Sequence, residues 1–215
     1  AVTEDSAPTS TTTEKEDEEM ALKDKATTKE TLDPKVEAIR DLRKLYPDVI
    51  GRIKIEGTVI DYPVVQGIDN EFYLDHNFRG EAHDFGAIFL DADHDPEFQT
   101  KNAVLYGHNV RSGKMFDPLA EYKDEAFFKE HPKIELTTLN EPRTYRVFAA
   151  FNAEPDAAYR FEDYSAEGWV QFKEYVAARN QLDSKDPDWG QQQILTLSSC
   201  EQTWNRWVIL AARCD

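Results

Sequence analysis

The chain has 215 residues, of which 40% are hydrophobic and 12% aromatic, enough to bury one sizeable core. Its 25 Lys and Arg against 42 Asp and Glu give a formal net charge of −17, which phosphate backbones and anionic lipids repel, so the composition argues against a nucleic-acid-binding protein. No apolar run approaches the roughly 18 residues of a membrane span. Two cysteines are too few for a disulfide scaffold or a four-cysteine zinc site.

Residues 1–33 differ in composition from the rest of the chain. They are rich in threonine and acidic residues and contain no aromatic residue. Such a segment cannot bury enough apolar area to offset the entropy of ordering it, so it is predicted to be a flexible acidic tether. The chain begins with Ala1 rather than Met, and we expect it to have been trimmed from an exported or anchored protein. The folded domain is expected to span residues 34–215.

That domain is predicted to begin with a helix. Asp33 suits the N-cap of a helix and Pro34 suits its first position. One apolar stripe follows at helical spacing: Val36, Ile39, Leu42 and Leu45. Pro47 is expected to end the helix.

The next part of the sequence has the patterns of β-strands. Residues 51–55 and 59–65 flank the turn Glu-Gly-Thr at residues 56–58, which predicts a hairpin. Six further β-rich runs cover residues 86–91, 102–106, 133–138, 143–152, 193–198 and 206–213. Eight short strands predict a mainly β domain, closed or nearly closed into a barrel.

A long insertion, residues 153–192, separates the sixth and seventh of these runs. Within it Ser165 is predicted to cap a helix that carries Trp169, Phe172 and Val176 on one face. Connections of this length are often binding loops or lids. A simple cover for the core is the alternative.

Among five histidines, His108 has the most informative context. The sequence Tyr-Gly-His-Asn at residues 106–109 ends an apolar run, where Gly107 would let the backbone turn and project the imidazole from a rigid edge. The spacing Asp-Ala-Asp-His-Asp at residues 91–95 resembles the start of a calcium loop. However, Pro96 replaces the expected glycine and no acidic residue follows at the twelfth position, so no metal is expected.

Cys200 and Arg206 form the second informative pair. Cys200 ends one predicted strand and Arg206 begins the next, so pairing of these strands would bring both residues to one rim. A cysteine nucleophile, His108 as proton carrier and an arginine for a developing oxyanion together predict acyl transfer through a thioester. The residues also allow a disulfide between Cys200 and Cys214.

These segments resemble the sortases, the cysteine transpeptidases of Gram-positive bacterial surfaces. The sequence Thr-Leu-Ser-Ser-Cys at residues 196–200 is similar to the family motif Thr-Leu-x-Thr-Cys, residues 106–109 to its histidine motif, and Arg206 to its arginine. Residues 69–78 and 86–91, with the two predicted helices, resemble the class B branch. The resemblance therefore rests on several motifs in the same order along the chain.

The resemblance covers about residues 34–213 and implies the eight-stranded sortase-type β-barrel with helical decorations. It also implies a membrane anchor that would precede the tether and hold the enzyme at the outer face of the plasma membrane. Cys200 would attack the carbonyl after the Thr of a C-terminal sorting signal in a surface protein, His108 would protonate the leaving amine, and Arg206 would steady the signal and the oxyanion. An amine of a peptidoglycan precursor, or a pilin lysine in some relatives, would then resolve the thioester, with no cofactor.

The same resemblance implies five substrate-binding residues: Asn70 and Leu74 in the peptide groove, Tyr106 beside the histidine, and Ser198 and Glu201 on either side of the nucleophile.

Two departures from the family pattern bear on the site. Ser199 stands where Thr is usual, and the interval of six residues from Cys200 to Arg206 is shorter than in most class B members. If this short connection could not bring Arg206 to Cys200, Arg213 would be the alternative arginine.

Two other functions stay open at this point. The first is a class B-like pilin polymerase that joins pilin subunits through a lysine. The second is a non-enzymatic secreted β-domain, an adhesin with a Cys200–Cys214 disulfide.

Overall fold

The computed structural model describes residues 32–110, 112–154, 157–184, 192–200 and 206–215. Most of the predicted tether lies outside the described residues, and so does Glu201. Residues Asp33–Asp215 form one compact unit.

The N-terminal helix is confirmed as α1 (Pro34–Leu45). The Asp33 carboxylate accepts a backbone hydrogen bond from the first turn and thereby caps the helix. Val36 and Ile39 are buried, but Leu45 is 73% exposed. The buried part of the apolar stripe therefore ends before Leu45, because the chain turns away into the first strand directly after the helix.

Eight strands of the described residues close into a barrel, as the sequence predicts. The eight strands are β1 (Val49–Lys54), β2 (Asp61–Val65), β3 (Ile88–Leu90), β4 (Asn102–Val110), β6 (Lys133–Thr138), β7 (Pro142–Ala153), β8 (Ile194–Cys200) and β9 (Arg206–Arg213). A two-residue strand, β5 (Lys114–Met115), lies beside the far end of β4. The order around the barrel is β3–β2–β1–β6–β7–β9–β8–β4, and β4 pairs again with β3 to close the ring.

The hairpin predicted at residues 51–65 is also confirmed, since β1 and β2 pair in antiparallel fashion. The predicted insertion helix is present as α3 (Ala166–Arg179). The Ser165 side chain accepts from the Gly168 N–H at 3.0 Å, and Phe172 and Val176 are buried. The remaining helical segments are α2 (Glu125–Glu130) and the short 3₁₀ helices Phe72–Leu74, Asp117–Lys123 and Ala158–Arg160.

Two apolar layers follow from the alternation of side chains along the strands. One fills the barrel and takes residues from all eight strands, among them Leu105, Leu197 and Ile209. The other lies on the outside, where Val104 of β4 and Val208 of β9 share a cluster with residues of α1 and α3. Strands β4, β8 and β9 are consequently buried on both faces.

Gly107 lies within β4 and marks a close contact rather than a turn. The strand continues to Val110, so the expectation that Gly107 bends the backbone is wrong. A Cβ atom at this position would lie 2.4 Å from Ile88 Cδ1 and 2.7 Å from Phe116 Cδ2, both in the barrel interior. Close packing therefore requires glycine here, and the next residue, His108, is directed to the outer face.

We expect Gly107→Ala to lower the free energy of unfolding by about 1–3 kcal/mol, because the added methyl group must displace Ile88 and Phe116. Urea denaturation followed by tryptophan fluorescence measures the loss. Ile88→Val removes the nearest of the conflicting atoms, so the double variant should lose less than the sum of the two single variants. Additive losses would contradict this packing.

Candidate active site

The three predicted catalytic residues occupy one row across adjacent strands. The parallel pairing of β4 with β8 sets His108 opposite Cys200. The antiparallel pairing of β8 with β9 sets Cys200 opposite Arg206. Neighbouring strands lie about 4.8 Å apart, so the backbone brings all three positions together at one rim of the barrel.

The short interval between Cys200 and Arg206 is compatible with this row. Residues 201–205 connect the two strands, and Arg206 is the first residue of β9. Arg213, the alternative arginine, ends the same strand about 23 Å away at 3.3 Å per residue. It forms ion pairs with Glu141 and Asp215 instead. The register therefore places Arg206, and not Arg213, opposite Cys200.

The predicted alternative of a Cys200–Cys214 disulfide is wrong. Cys214 is an exposed free cysteine. Ile194 at the start of β8 pairs with Ala212 at the end of β9, so Cys214 lies at the opposite end of the strand pair from Cys200. The separation is about 26 Å along the strands, far beyond the roughly 7 Å between Cα atoms that a disulfide can bridge.

The His108 ring is held by a backbone carbonyl. Its Nε2 lies 2.6 Å from the Leu74 oxygen. A carbonyl oxygen only accepts, so Nε2 carries a proton and Nδ1 is the other nitrogen of the ring. Gly86, at φ +57°, packs so closely that a Cβ there would lie 2.6 Å from the same oxygen. The carbonyl that orients His108 is therefore itself fixed by close backbone packing.

Tyr106 lies two residues before His108 on the same face of β4, with 4% of its surface exposed. Its hydroxyl donates to Asp91 Oδ2 at 2.7 Å and accepts from Arg160 Nε at 2.7 Å. Burial and the bond to Asp91 raise the pKa of Tyr106 well above its usual range. The Arg206 guanidinium carbon lies 5.8 Å from the centre of this ring and that of Arg160 lies 5.6 Å from it.

Asp91 connects the ring of Tyr106 to residues 70–74, which carry the predicted groove residues Asn70 and Leu74 and are called the groove segment. Asp91 is 3% exposed. Its carboxylate accepts a hydrogen bond from Asn70 Nδ2 at 2.9 Å and lies 3.3 Å from Arg160 Nη2. Burial by itself would raise the pKa of Asp91, but the hydrogen bonds from Asn70 and Tyr106 outweigh burial and hold that pKa below its ordinary value. Asn70 also accepts from the Ala92 N–H at 2.8 Å, so both ends of its amide are held.

The first part of the insertion is fixed against the barrel by three buried side chains. Asn102 Nδ2 donates to the carbonyls of Tyr159 and Phe161, each at 2.8 Å. His94 Nε2 lies 2.9 Å from the Arg160 oxygen. The Tyr159 hydroxyl lies 3.1 Å from Ser198 Oγ. These contacts bring Tyr159 and Arg160 to the face of the sheet that carries Tyr106.

The predicted substrate-binding residues take different places. Asn70 and Leu74 are half-buried beside Asp91 and His108. Tyr106 and Ser198 are buried and support the row from beneath, so their direct contact with a peptide stays a prediction. Glu201 lies outside the described residues.

Sequence reasoning misses Asp91 and Arg160 as site residues. In the sequence Asp91 is interpreted only as part of a possible metal loop, although a polar residue directly after an apolar strand is a signal for a site at a sheet edge. Arg160 follows no pattern in the sequence. In the part of the chain that the structure describes, no three His, Cys, Asp or Glu side chains are placed to hold a metal ion. No helix there is long and apolar enough to cross a membrane.

Known proteins are similar to this chain in sequence and in fold. The Sortase domain model matches residues 53–214. A Sortase B from Listeria monocytogenes serovar 1/2a (strain ATCC BAA-679 / EGD-e) is 34% identical over 166 residues, which cover 76% of this chain and 67% of the relative.

Two solved structures are similar over most of their length. The Staphylococcus aureus sortase B–substrate complex has a TM-score of 0.79 at 30% identity, covering 83% of this chain and 85% of that one. A Sortase B complexed with triglycine has a TM-score of 0.79 at 28% identity, covering 92% of each chain.

We expect Asp91→Asn to lower the free energy of unfolding by about 1–3 kcal/mol at neutral pH, because it removes the charge from several buried hydrogen bonds. The folded-state pKa of Asp91 lies below the ordinary 3.8. The stability that the carboxylate adds is thus present well above that value and is lost as the pH falls through the folded-state pKa.

Urea denaturation of wild type and Asp91→Asn at a series of pH values measures the difference between their free energies of unfolding. This difference should be constant through the neutral range and become smaller in acid. Asp84→Asn is the control, since Asp84 is exposed and its loss should change stability by no more than about 0.5 kcal/mol. A difference that persists unchanged in strong acid would contradict the assignment.

Proposed function

The chain belongs to the sortase family of cysteine transpeptidases, and we propose that it cleaves a C-terminal sorting signal of a surface protein and transfers that protein to an amine of a cell-wall precursor. The observation that carries the proposal is the row of His108, Cys200 and Arg206 across β4, β8 and β9. Membership of the family overturns the adhesin alternative, and the class B likeness expected from the motifs is confirmed.

Cys200 is the proposed nucleophile. An unperturbed cysteine has a pKa of about 8.5, so only a few per cent of it is thiolate near neutral pH. A neighbouring guanidinium favours the thiolate. Arg206, directly opposite Cys200 in the sheet, supplies that permanent charge. The thiolate attacks the carbonyl carbon of the sorting signal, and a carbon–sulfur bond forms.

His108 moves the protons of both half-reactions. Because Leu74 holds Nε2–H, we assign proton transfer to Nδ1. The proton that leaves the Cys200 thiol is held on His108 Nδ1. When the tetrahedral adduct collapses, the carbon–nitrogen bond breaks, the leaving amine takes that proton from His108, and a thioester remains on Cys200. The acceptor amine then attacks the thioester, returns a proton to His108 and releases the thiolate.

Arg206 is assigned to the oxyanion of both tetrahedral intermediates. Its planar guanidinium donates hydrogen bonds and stays charged at every working pH. A donor that is already in place before charge develops needs no reorganisation during the reaction, which is the main source of such stabilisation. The ring of Tyr106 beside it supplies a fixed surface for this group.

The acceptor is proposed to be a primary amine of a cell-wall peptide, at the outer surface of a Gram-positive cell. Two similar structures support the choice of ligand chemistry, one being a complex with substrate and the other a complex with triglycine. Nothing among the contacts of the described residues favours a pilin lysine over a wall peptide.

We expect a thioester adduct on Cys200 when the protein is mixed with a panel of sorting-signal peptides, because the row supplies nucleophile, acid and oxyanion donor. Intact-mass spectrometry detects the adduct, and triglycine should discharge it as a peptide product. Cys214→Ala is the matched control: it should keep the adduct, since Cys214 is exposed and remote from the row. Cys200→Ala should abolish it. An adduct that survives Cys200→Ala would exclude Cys200 as the nucleophile.

We expect Arg206→Ala to lower kcat/KM for transpeptidation by about 10²–10³, the usual effect of losing one oxyanion donor. The unfolding midpoint should change little, because Arg206 begins its strand at the surface end. Arg213→Ala removes the same charge from the far end of β9 and should stay within about twofold of wild type. Equal losses in the two variants would refute the assignment of Arg206.

A further inference from the structure

We propose that Asp91 and Arg160 are positioning residues for the reaction: together they orient the Tyr106 ring, and the ring holds the Arg206 guanidinium at the catalytic row. The inference rests on the proposed function, since it assigns a cause to the placement of the oxyanion donor. It concerns two residues outside the row, one on the loop after β3 and one in the insertion.

The Tyr106 hydroxyl is held from two sides. It donates to Asp91 Oδ2 and accepts from Arg160 Nε, each at 2.7 Å. The Phe89 ring packs against the Tyr106 ring at 5.4 Å between centroids. A tyrosine fixed at its backbone, its ring and its hydroxyl has no freedom left to rotate, so the ring is a rigid surface.

Arg206 uses this surface. Its guanidinium carbon lies 5.8 Å from the Tyr106 centroid, within the roughly 6 Å range of a cation–π interaction. An arginine side chain has several rotatable bonds and loses rotamer entropy when it is held. When a fixed ring already holds the guanidinium in the free enzyme, this entropy is lost before substrate arrives. An effective oxyanion donor requires such an arrangement.

Charge balance explains why Asp91 belongs to the same unit. Two guanidiniums, those of Arg160 and Arg206, lie within 6 Å of one ring centre. Asp91 lies 3.3 Å from Arg160 and keeps its negative charge, because hydrogen bonds from Asn70 and Tyr106 lower its pKa. Without this charge, mutual repulsion between the two cations would favour displacement of the more mobile one.

The insertion is thereby linked to the row. Arg160 ends the short helix Ala158–Arg160, whose carbonyls are bonded to Asn102 and His94. The contact of Arg160 with Tyr106 spans 54 residues of sequence, and its contact with Asp91 spans 69. The start of the insertion therefore acts on the placement of Arg206 through a single ring.

Double-mutant cycles test this assignment. Asp91→Asn, Arg160→Met and Tyr106→Phe are each made alone and together with Arg206→Ala, and acylation by a sorting-signal peptide is measured in single turnover. Tyr106→Phe keeps the ring and removes only the hydroxyl, so it guards against a variant that fails to fold. Each single variant should lower the maximal acylation rate about 5- to 30-fold with little change in peptide affinity, corresponding to about 1–2 kcal/mol.

In the Arg206→Ala background the same three substitutions should each change the rate less than about twofold, because the group through which they act is gone. Equal losses in both backgrounds would overturn the proposal and leave only a structural role. Asp84→Asn, a change at an exposed acidic residue, is the matched charge control and should leave the rate of each background unchanged. Circular dichroism of each variant at the assay temperature shows whether the fold is retained.

A measurement without substrate gives an independent readout. The Nε–Hε NMR signal of Arg206, identified by its loss in Arg206→Lys, should be shifted upfield by the Tyr106 ring in wild type. It should move towards the random-coil position in Asp91→Asn and Arg160→Met. An unchanged signal would overturn the proposal even if activity fell. Absence of any Cys200 adduct in wild type would instead refute the proposed function, and the positioning role with it.

Discussion

The pairing of β8 with β4 on one side and with β9 on the other is the constraint on which the rest of the site depends. His108 and Arg206 are 98 positions apart in sequence, and this pairing makes both of them neighbours of Cys200 in one row. A slip of one residue in either pairing would exchange the two faces of a strand. Because these strands are buried on both faces, such a slip would place polar residues in the barrel and lose both apolar layers.

A cluster of buried polar side chains around Asp91 adjoins the row. A buried carboxylate is costly unless it is paired and hydrogen-bonded. Asp91 meets this requirement with bonds from Asn70, Tyr106 and Arg160, each from a different part of the chain. The polar cluster thus connects the groove segment, the histidine strand and the insertion. Stability and catalysis draw on the same contacts, since the groups that satisfy the buried charge are also those that fix the ring under Arg206.

The sequence predicts most of the barrel because its strands are bounded by local signals. The eight β-rich runs, the Asp33 cap of α1 and the Ser165 cap of α3 all appear at or within a few residues of their predicted places. Motif spacing also predicts the members of the row. These signals are short in range, and they depend on turn residues, caps and apolar alternation that one chain displays without any partner.

Other features depend on contacts that span long stretches of sequence, and no local pattern reveals them. The sequence predicts a turn at Gly107, and only the positions of Ile88 and Phe116 show why a side chain is excluded there. Asp91 and Arg160 are 69 residues apart, and neither can be recognised as a site residue until the fold brings both to Tyr106. The exposure of Leu45 has a related cause, since the buried part of a helical stripe ends where the chain leaves the core.

The decisive test of the catalytic row is a crystal structure of the protein bearing a sorting-signal peptide analogue bound covalently through a carbonyl-derived carbon. We expect a bond to Cys200 Sγ, the former carbonyl oxygen within about 3.2 Å of an Arg206 nitrogen, and His108 on the side of the departed amine. A bond to another residue, or an oxygen with Arg206 turned away from it, would rule out the assigned roles.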